Sequence, residues 1–578
     1  MFYDYWIVND FRKKLAFFVI TAGVIISSYL ADFCLPGTIF YRFQQICFWP
    51  TVLVLVLWLI PSKKGLTFQF SRYSIALFFI LLIGLFFRLY KINTLPLNHD
   101  EAHTTLRTLF LFQNKDFVSY AGVPITFLNG KVPALFSLLA VVSAKWFINP
   151  EIIVRLPSII IGILTIWFVY RLVKELGERK TALLSAFFLA ILPWHIIQSR
   201  VGVNAILTPC FGALFFLLFA KAIKKESYKY FYLSFFVLGI AAFWTYTASQ
   251  VYVILAVICC IVFRKELSWM KKIDFINSIL LFIIPLHPFL IMWGKVNFVH
   301  SQYYHSVSLF HNNLILNAID RLKDAFILLF WAEDPFSLFA PGFAGPIIQP
   351  FLLISLVFGF LSIQKNPSLA RVVRIWLIGG MFFLVCFISE VADRYIIAVA
   401  PALCILMAYG VLLSKFKRLI PYSVAAAIIG IWIYGSSYFG YLNKIPLGSL
   451  KAYSYGCAEV SRFLSEDALF MKSGAKAAIE WRMIPAEFYF ILAKRRGQDL
   501  FEKKRLNKFI PCWGDDLAQS KDVVFYCLWS PESRGYDWDA FNCQLYKKFR
   551  LFYPEKLPVK VICYPDGKKA IEIFKMEQ

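Results

Sequence analysis

"SIALFFILLIGLFFRLYKINTLPLNHDEAHTTLR", residues 74–107, joins an unbroken apolar run to two carboxylates and two histidines. The run from Ser74 to Tyr90 has the length and composition of a segment that crosses a hydrocarbon core of about 30 Å at 1.5 Å per residue. Asp100 and Glu101 follow at its mouth. Ionisable groups beside a bilayer are costly to keep, and they mark function more often than architecture. The side of the membrane that this pair faces therefore decides how the chain is read.

The rest of the sequence agrees with a membrane setting. Its 578 residues are 59% hydrophobic and 18% aromatic, with a mean hydropathy of +0.64. A soluble chain of this size would carry far more charge on its surface. The net charge of +25 comes mostly from Lys and Arg in short clusters between apolar blocks. That placement is the positive-inside pattern of a polytopic helical membrane protein, and it argues against nucleic acid as a partner.

Crossings can be counted from the first block. Leu15 to Phe33 follows "FRKK", is too long for a signal-peptide core and reads as a retained helix with a cytoplasmic N-terminus. Gln45 to Ile60 returns to a basic loop, and Ser74 to Tyr90 exits again, which puts "HDEA" outside. Residues 132–148, "VPALFSLLAVVSAKWFI", look like a further crossing but hold Lys145 and are marginal in length. If they crossed, "RLVKELGERK", "KAIKKESYKYF" and "FRKELSWMKK" would all face outside; if they lie on the outer surface, all three basic loops fall inside. The surface-lying or re-entrant reading is adopted. Helices are then expected near 154–173, 181–197, 204–222, 229–248, 250–263, 275–293, 347–362, 375–390, 395–413 and 421–440.

The expected architecture has about thirteen transmembrane helices. Residues 1–73 supply two, residues 74–440 form the main membrane domain, and 441–578 form a small extracytoplasmic α/β domain. The first outer loop spans 91–153, and a long outer loop spans 294–346. In the tail, "DVVFYCLW" and "PVKVICY" read as strands, whereas "CAEVSRFLSE" and "AIEWRMIPAEFYFILAKRR" read as amphipathic helices. Five of the twelve cysteines, Cys457, Cys512, Cys527, Cys543 and Cys563, lie there, enough for one or two disulfides with one thiol left over.

"LNHDEAHTTLR" has the pattern of a helix start. Asn98 is the expected N-cap and Glu101, three residues on, completes a capping box. In such a helix Asp100, His103, Thr104 and Arg107 share one face, while Ala102, Leu106, Leu109 and Phe110 share another. Glu101 has a structural reading of equal weight, because acids favour a first helical turn. Asp100 is the better candidate for chemistry.

At this point the sequence resembles a known family. A helix followed by "RLY…LP…HDEA" is similar to the opening of glycosyltransferase family 39 and its relatives in the GT-C superfamily, which include protein O-mannosyltransferases and lipid A aminoarabinose transferases. "RLPSIIIGILTIWFVYRLVKELGERKTALLSAFFLAILPWHIIQSRVGVN", "WTYTASQVY" and "DRYIIAVAPALCILMAYG" continue the likeness, so that it covers about residues 74–413. The resemblance implies a GT-C-like fold and a transferase that uses a polyprenyl-phosphate-linked sugar. It would act on the outer face of the inner (plasma) membrane, with a lipid, glycan or protein hydroxyl as acceptor. A carboxylate would accept the acceptor's proton, which gives Asp100, with Glu101, the catalytic position. The phosphate that leaves needs cations. Lys131 in a Lys-x-Pro element, Arg155, Arg200 and Arg394 with Tyr395 are candidates, beside His103 and Arg107 of the polar face. Each Arg also has a plain reading as a snorkelling residue at a helix end.

One departure from the family concerns metal. Many relatives carry an acid shortly after the "SR" of "IIQSR", where this chain has Asn204. Glu333 and Asp334 of "FWAEDPF" could substitute or could be solvated loop acids, and His99, His103, His305 and His311 have no diagnostic spacing. No cofactor is implied with certainty, and a divalent metal stays open. Two other classes compete with the transferase: a transporter or flippase for lipid-linked sugar, and a non-catalytic binder of one. Surface acids and the lack of inverted repeats weigh against the transporter.

Overall fold

The structure, a computed structural model, describes residues 71–102, 150–293, 314–330, 350–387, 393–413, 455–471, 475–480, 508–512, 523–530 and 544–576, with isolated positions between 136 and 149, at 425 and between 483 and 490. The expected crossings at 15–33, 45–60 and 421–440 lie outside the described residues, apart from position 425. The chain divides into two compact units. One comprises Met1–Tyr90, Phe117–Phe136 and Ser158–Ser436; the other comprises Lys91–Asp116, Ser137–Pro157 and Ser437–Gln578.

The first unit is helical. Helix α1 spans Arg72–Leu89 and starts where the Ser71 side chain accepts the Ser74 N–H. Helix α2, Pro150–Leu176, belongs to this unit from Ser158 onward. The stretch read as one helix over 181–197 is instead α3, Arg179–Ile191, and α4, Pro193–Arg200, bent by 59°. Pro193 is the physical reason: it has no N–H to continue α3, and its fixed φ suits the first turn of a new helix. There follow α5 (Leu207–Lys225), α6 (Tyr228–Trp244), α7 (Val251–Val262) and α8 (Lys272–Trp293).

The long outer loop expected over 294–346 contains α9, Leu314–Phe330. Its four charges, Asp320, Arg321, Lys323 and Asp324, hid an amphipathic period that buries Ala325, Leu328 and Leu329. Helices α10 (Pro350–Ser362), α11 (Pro367–Arg374), a π turn (Ile375–Gly379), α12 (Gly380–Phe387), the short α13 (Asp393–Ile396) and α14 (Ala400–Leu413) are the last of the unit's described elements.

Among the described residues five segments are long and apolar enough to cross a membrane: Arg72–Leu89, Pro150–Leu176, Asn204–Lys225, Pro367–Val385 and Arg394–Leu412. The bent pair α3–α4 is a sixth if it counts as one span. The protein is mostly helical and of multi-pass membrane type. Among the described spans, the one that contains helix α14 is the most buried, and α14 packs against α3 and α10. It meets α10 through two glycines, since a Cβ on Gly359 would overlap the Leu406 carbonyl and one on Gly410 the Ser355 carbonyl. Small residues at such crossings let backbones approach where lipid offers no hydrophobic drive.

The second unit holds a five-stranded mixed sheet in the order β2-β1-β3-β5-β4. Strands β1 (Lys476–Glu480), β2 (Phe509–Cys512) and β3 (Val523–Trp529) run parallel, while β5 (Lys569–Lys575) is antiparallel to both β3 and β4 (Lys560–Cys563). Residues 478–480, read as the start of an amphipathic helix, end β1 instead. Ala477–Glu480 is buried on both faces between two strand neighbours, so no helical period was there to be found. Helices α15 (Cys457–Glu466), α16 (Ala468–Met471) and α17 (Gln544–Phe552) cover the sheet. Among the described tail cysteines, Cys457, Cys527 and Cys563 are free thiols.

One face of the sheet packs Val460, Leu464, Phe470, Ile479, Phe525 and Cys527 into a core with four residues from far up the chain: Leu97, Ala102, Ile153 and Val154. The segment around the acidic pair is thus part of this unit's core.

Candidate functional site

The acidic segment is strapped down along its backbone. Asn98 caps the turn that begins at His99: its Oδ1 accepts the Asp100 N–H at 2.8 Å, and Glu101 Oε2 accepts the Asn98 N–H at 2.8 Å. Glu101 thus makes the return contact of a capping box, while the Asn98 side chain caps the second helical N–H. Glu101 has a second partner that no local pattern announces. Arg155, on α2, donates Nε to Glu101 Oε1 at 2.9 Å and Nη2 to Oε2 at 3.0 Å. Its remaining donors reach the carbonyls of Pro96 (3.0 Å), Ile92 (2.6 Å) and Leu95 (3.0 Å). All five guanidinium N–H groups are engaged, and the pair is 3% and 0% exposed.

Two further groups extend this network. Glu151 lies one helical turn before Arg155, and its Oε1 accepts the Tyr489 hydroxyl at 2.6 Å. That same hydroxyl accepts the Leu97 N–H at 3.3 Å. The network therefore holds the backbone at residues 92, 95, 96, 97, 98 and 100, while the Asp100 side chain is exposed. A fixed backbone that presents a solvent-facing carboxylate is what a positioned proton acceptor requires.

In the helical unit a second buried polar cluster surrounds Arg88. Its Nε donates to Ser199 Oγ at 2.9 Å, and Nη1 donates to the carbonyls of Gly84 (2.7 Å) and Ala190 (3.2 Å). Nη2 lies 2.7 Å from His195 Nδ1, and since a guanidinium only donates, Nδ1 accepts. Gly162 leaves room for the Arg88–Ser199 contact, because a Cβ there would sit 2.8 Å from Ser199 Oγ and 3.1 Å from Arg88 Nε. Arg200, 4% exposed, donates to the carbonyls of Phe87 (2.8 Å) and Arg88 (3.2 Å) at the last turn of α1, where helix carbonyls have no partner in their own ladder.

Arg394 and Tyr395 lie on α13. The Arg394 guanidinium sits 5.3 Å from the Tyr395 ring centroid, and Tyr395 stacks on Tyr246 at 5.3 Å with 19° between planes. Two stretches singled out in the sequence, "WTYTASQ" and "DRY", thus meet. The 3-10 turn at Asn204–Ile206 packs beside α13 as well. The following backbone is fixed through Ala398, whose carbonyl accepts from Trp376 Nε1 at 2.9 Å and from the Tyr252 hydroxyl at 3.1 Å.

His103, Arg107, Lys131, Glu333 and Asp334 lie outside the described residues, as do His305 and His311. Among the described residues no group of three or more His, Cys, Asp or Glu is placed to hold a metal ion. Sequence reasoning passed over Tyr489, Glu151, Arg88 and His195. Only Glu151 left a local signal, as an acid four residues before Arg155 on one helix face.

Residues 131–293 match the family described as dolichyl-phosphate-mannose-protein mannosyltransferase. The chain is similar in fold to ArnT from Cupriavidus metallidurans in the apo state, at 13% identity and a TM-score of 0.53, over 87% of this chain and 98% of that one. The same protein bound to undecaprenyl phosphate aligns at 13% identity and a TM-score of 0.49, over 87% and 98%. AglB from Archaeoglobus fulgidus, in complex with an inhibitory peptide and a dolichol-phosphate, aligns at 12% identity and a TM-score of 0.45, over 86% and 74%. No curated protein matches the sequence. Part of this chain, residues 131–293, thus matches a mannosyltransferase family, and the chain is similar in fold to ArnT.

Proposed function

We propose that the protein moves a sugar from a polyprenyl-phosphate-linked donor to a hydroxyl of a lipid, glycan or protein acceptor at the outer face of the plasma membrane. The observation that carries this reading is the immobilised helix start that leaves Asp100 exposed between a capped backbone and the buried Glu101. The match to a family described as using dolichyl-phosphate mannose supports the choice of donor. In the reaction the acceptor oxygen forms a bond to the anomeric carbon as the bond from that carbon to the phosphate oxygen breaks. The acceptor proton passes to the Asp100 carboxylate, and polyprenyl phosphate departs with the bonding electron pair.

Glu101 holds the helix start rather than the proton. Arg155, with every donor committed to the Glu101 segment, acts on the backbone that carries Asp100. The departing phosphate is assigned to Lys131 and Arg394, with Tyr395 beside Arg394 as a supporting contact. About thirteen crossings, a cytoplasmic N-terminus and an extracytoplasmic C-terminal α/β domain belong to the same reading.

Purified full-length protein in detergent, given a radiolabelled polyprenyl-phosphate sugar and a membrane lipid extract as acceptor source, tests it. Label should pass to an acceptor with the wild-type chain and not with Asp100→Asn. Reconstituted vesicles that scramble the labelled lipid with no transfer would mean a transporter. Binding without either event would mean a non-catalytic binder.

A further inference from the structure

We infer that Tyr489, almost four hundred residues downstream, is a positioning residue that holds the Asp100 segment ready for proton transfer. This rests on the reading of Asp100 as the base. Tyr489 is separated from Leu97 by 392 residues and from Glu151 by 338, yet its hydroxyl donates to Glu151 Oε1 and accepts from the Leu97 N–H. Leu97 immediately precedes the N-cap Asn98, whose side chain accepts the Asp100 N–H. Glu151 shares a helix face with Arg155, which closes on Glu101 from the other side. One phenol thus ties the two ends of a single network: the backbone entering the acidic turn, and the helix that supplies its arginine.

The surroundings of Tyr489 suit this task. Burial and the Glu151 carboxylate push its phenol far above the usual range, so it stays protonated and keeps donating. Its neighbours on either side are fixed, with Phe490 in the core against Phe470 and Phe509, and Ala486 and Glu487 buried. Leu97, Ala102, Ile153 and Val154 sit in that same core. The tail of the chain is then a built-in scaffold for the acidic turn, and its hydroxyl sets the turn's register where apolar packing alone would leave it free to slide. Hydrogen bonds supply direction, which non-directional burial does not.

The decisive variant is Tyr489→Phe in the full chain, which keeps the ring and removes both hydrogen bonds. Two readouts are needed. Hydrogen–deuterium exchange should show faster exchange across Leu97–Ala102 than in the wild type. In the transfer assay kcat should fall about ten- to hundredfold through misplacement of the base, with KM for the donor changed less than about twofold. Glu151→Ala, which removes the acceptor, should lower kcat too, and the double variant should be no worse than the poorer single, because both substitutions break one connection. Tyr546→Phe, which removes a hydroxyl bonded to Glu572 on the opposite face of the sheet, should leave kcat and exchange at Leu97–Ala102 unchanged. Unchanged exchange in Tyr489→Phe overturns the inference whatever the transfer assay shows, as does a wild-type kcat or a multiplicative double variant. A wild-type chain that transfers nothing, while Tyr489→Phe still loosens the segment, overturns the reading of Asp100 instead.

Discussion

Arg155 and Glu101 meet through two hydrogen bonds at 2.9 and 3.0 Å with neither side chain open to solvent. A buried pair of this kind is weak evidence for net stability, since desolvation offsets much of the attraction, but breaking it leaves one charge stranded. Arg155→Met should therefore cost about 3–5 kcal/mol, read as a fall in the thermal unfolding midpoint of the purified protein. Glu101→Gln should cost a similar amount, and the combination Glu101→Gln with Arg155→Met should recover part of the loss. Full additivity of the two losses would mean that the pair does not act as a unit.

Asp100 and Glu101 should separate by kind of damage. Asp100→Asn keeps shape and hydrogen bonding but removes a base, so single-turnover transfer should fall by about 10²-fold or more at unchanged thermal stability. Glu101→Gln can still accept the Asn98 N–H, and its loss of turnover should stay below about tenfold once corrected for the unfolded fraction. An active Asp100→Asn beside a folded but dead Glu101→Gln would reverse the two roles.

Donor binding should depend on Lys131 and Arg394. If they hold the donor phosphate as proposed, replacing either with Ala removes a charge-assisted contact, typically about 1.5–3 kcal/mol or roughly ten- to hundredfold in affinity. Arg394→Lys should not rescue fully, because its planar guanidinium lies against the Tyr395 ring. The binding constant for a polyprenyl-phosphate sugar, measured by displacement of a fluorescent analogue, decides the matter; unchanged values in both variants would place these cations against lipid headgroups.

Glu487 should make stability fall as pH rises. Burial pushes its carboxyl from an ordinary 4.5 up to about 8. Between those values the folded chain holds a proton that the unfolded chain has released, so raising the pH through this window favours unfolding. The stabilising contribution is full below about 4.5 and is lost by about pH 8. Glu487→Gln should flatten this slope and raise the unfolding midpoint at pH 8 relative to the wild type. A midpoint of the wild-type chain that is level from pH 5 to 8, corrected for other groups by the Gln variant, would show that the carboxyl is not held neutral.

Topology has its own test. In a background cleared of native cysteines, a cysteine at Glu178 should resist an impermeant thiol reagent in intact cells, and one at Gly514 should react. Labelling at Glu178 from outside would turn residues 132–148 into a crossing and invert every later helix.

What the sequence determined on its own is everything set by neighbours. Apolar blocks at bilayer length, basic loops between them and the cap made by Asn98 and Glu101 are written in contacts at most four residues apart, and the structure places α1 and the cap where local spacing puts them. Where a local signal was overlooked, as with Pro193 or the amphipathic period of Leu314–Phe330, it was still legible in hindsight. Tertiary structure alone decided the rest. Arg88 finds His195 at a separation of 107 residues, Arg155 finds Glu101 at 54, and Tyr489 finds Leu97 at 392. The physical reason is that hydrophobic burial specifies only which faces must be covered, not by what. The Leu97 and Ala102 side chains declare that the acidic turn needs an apolar partner, but only the folded chain shows that the C-terminal sheet supplies it.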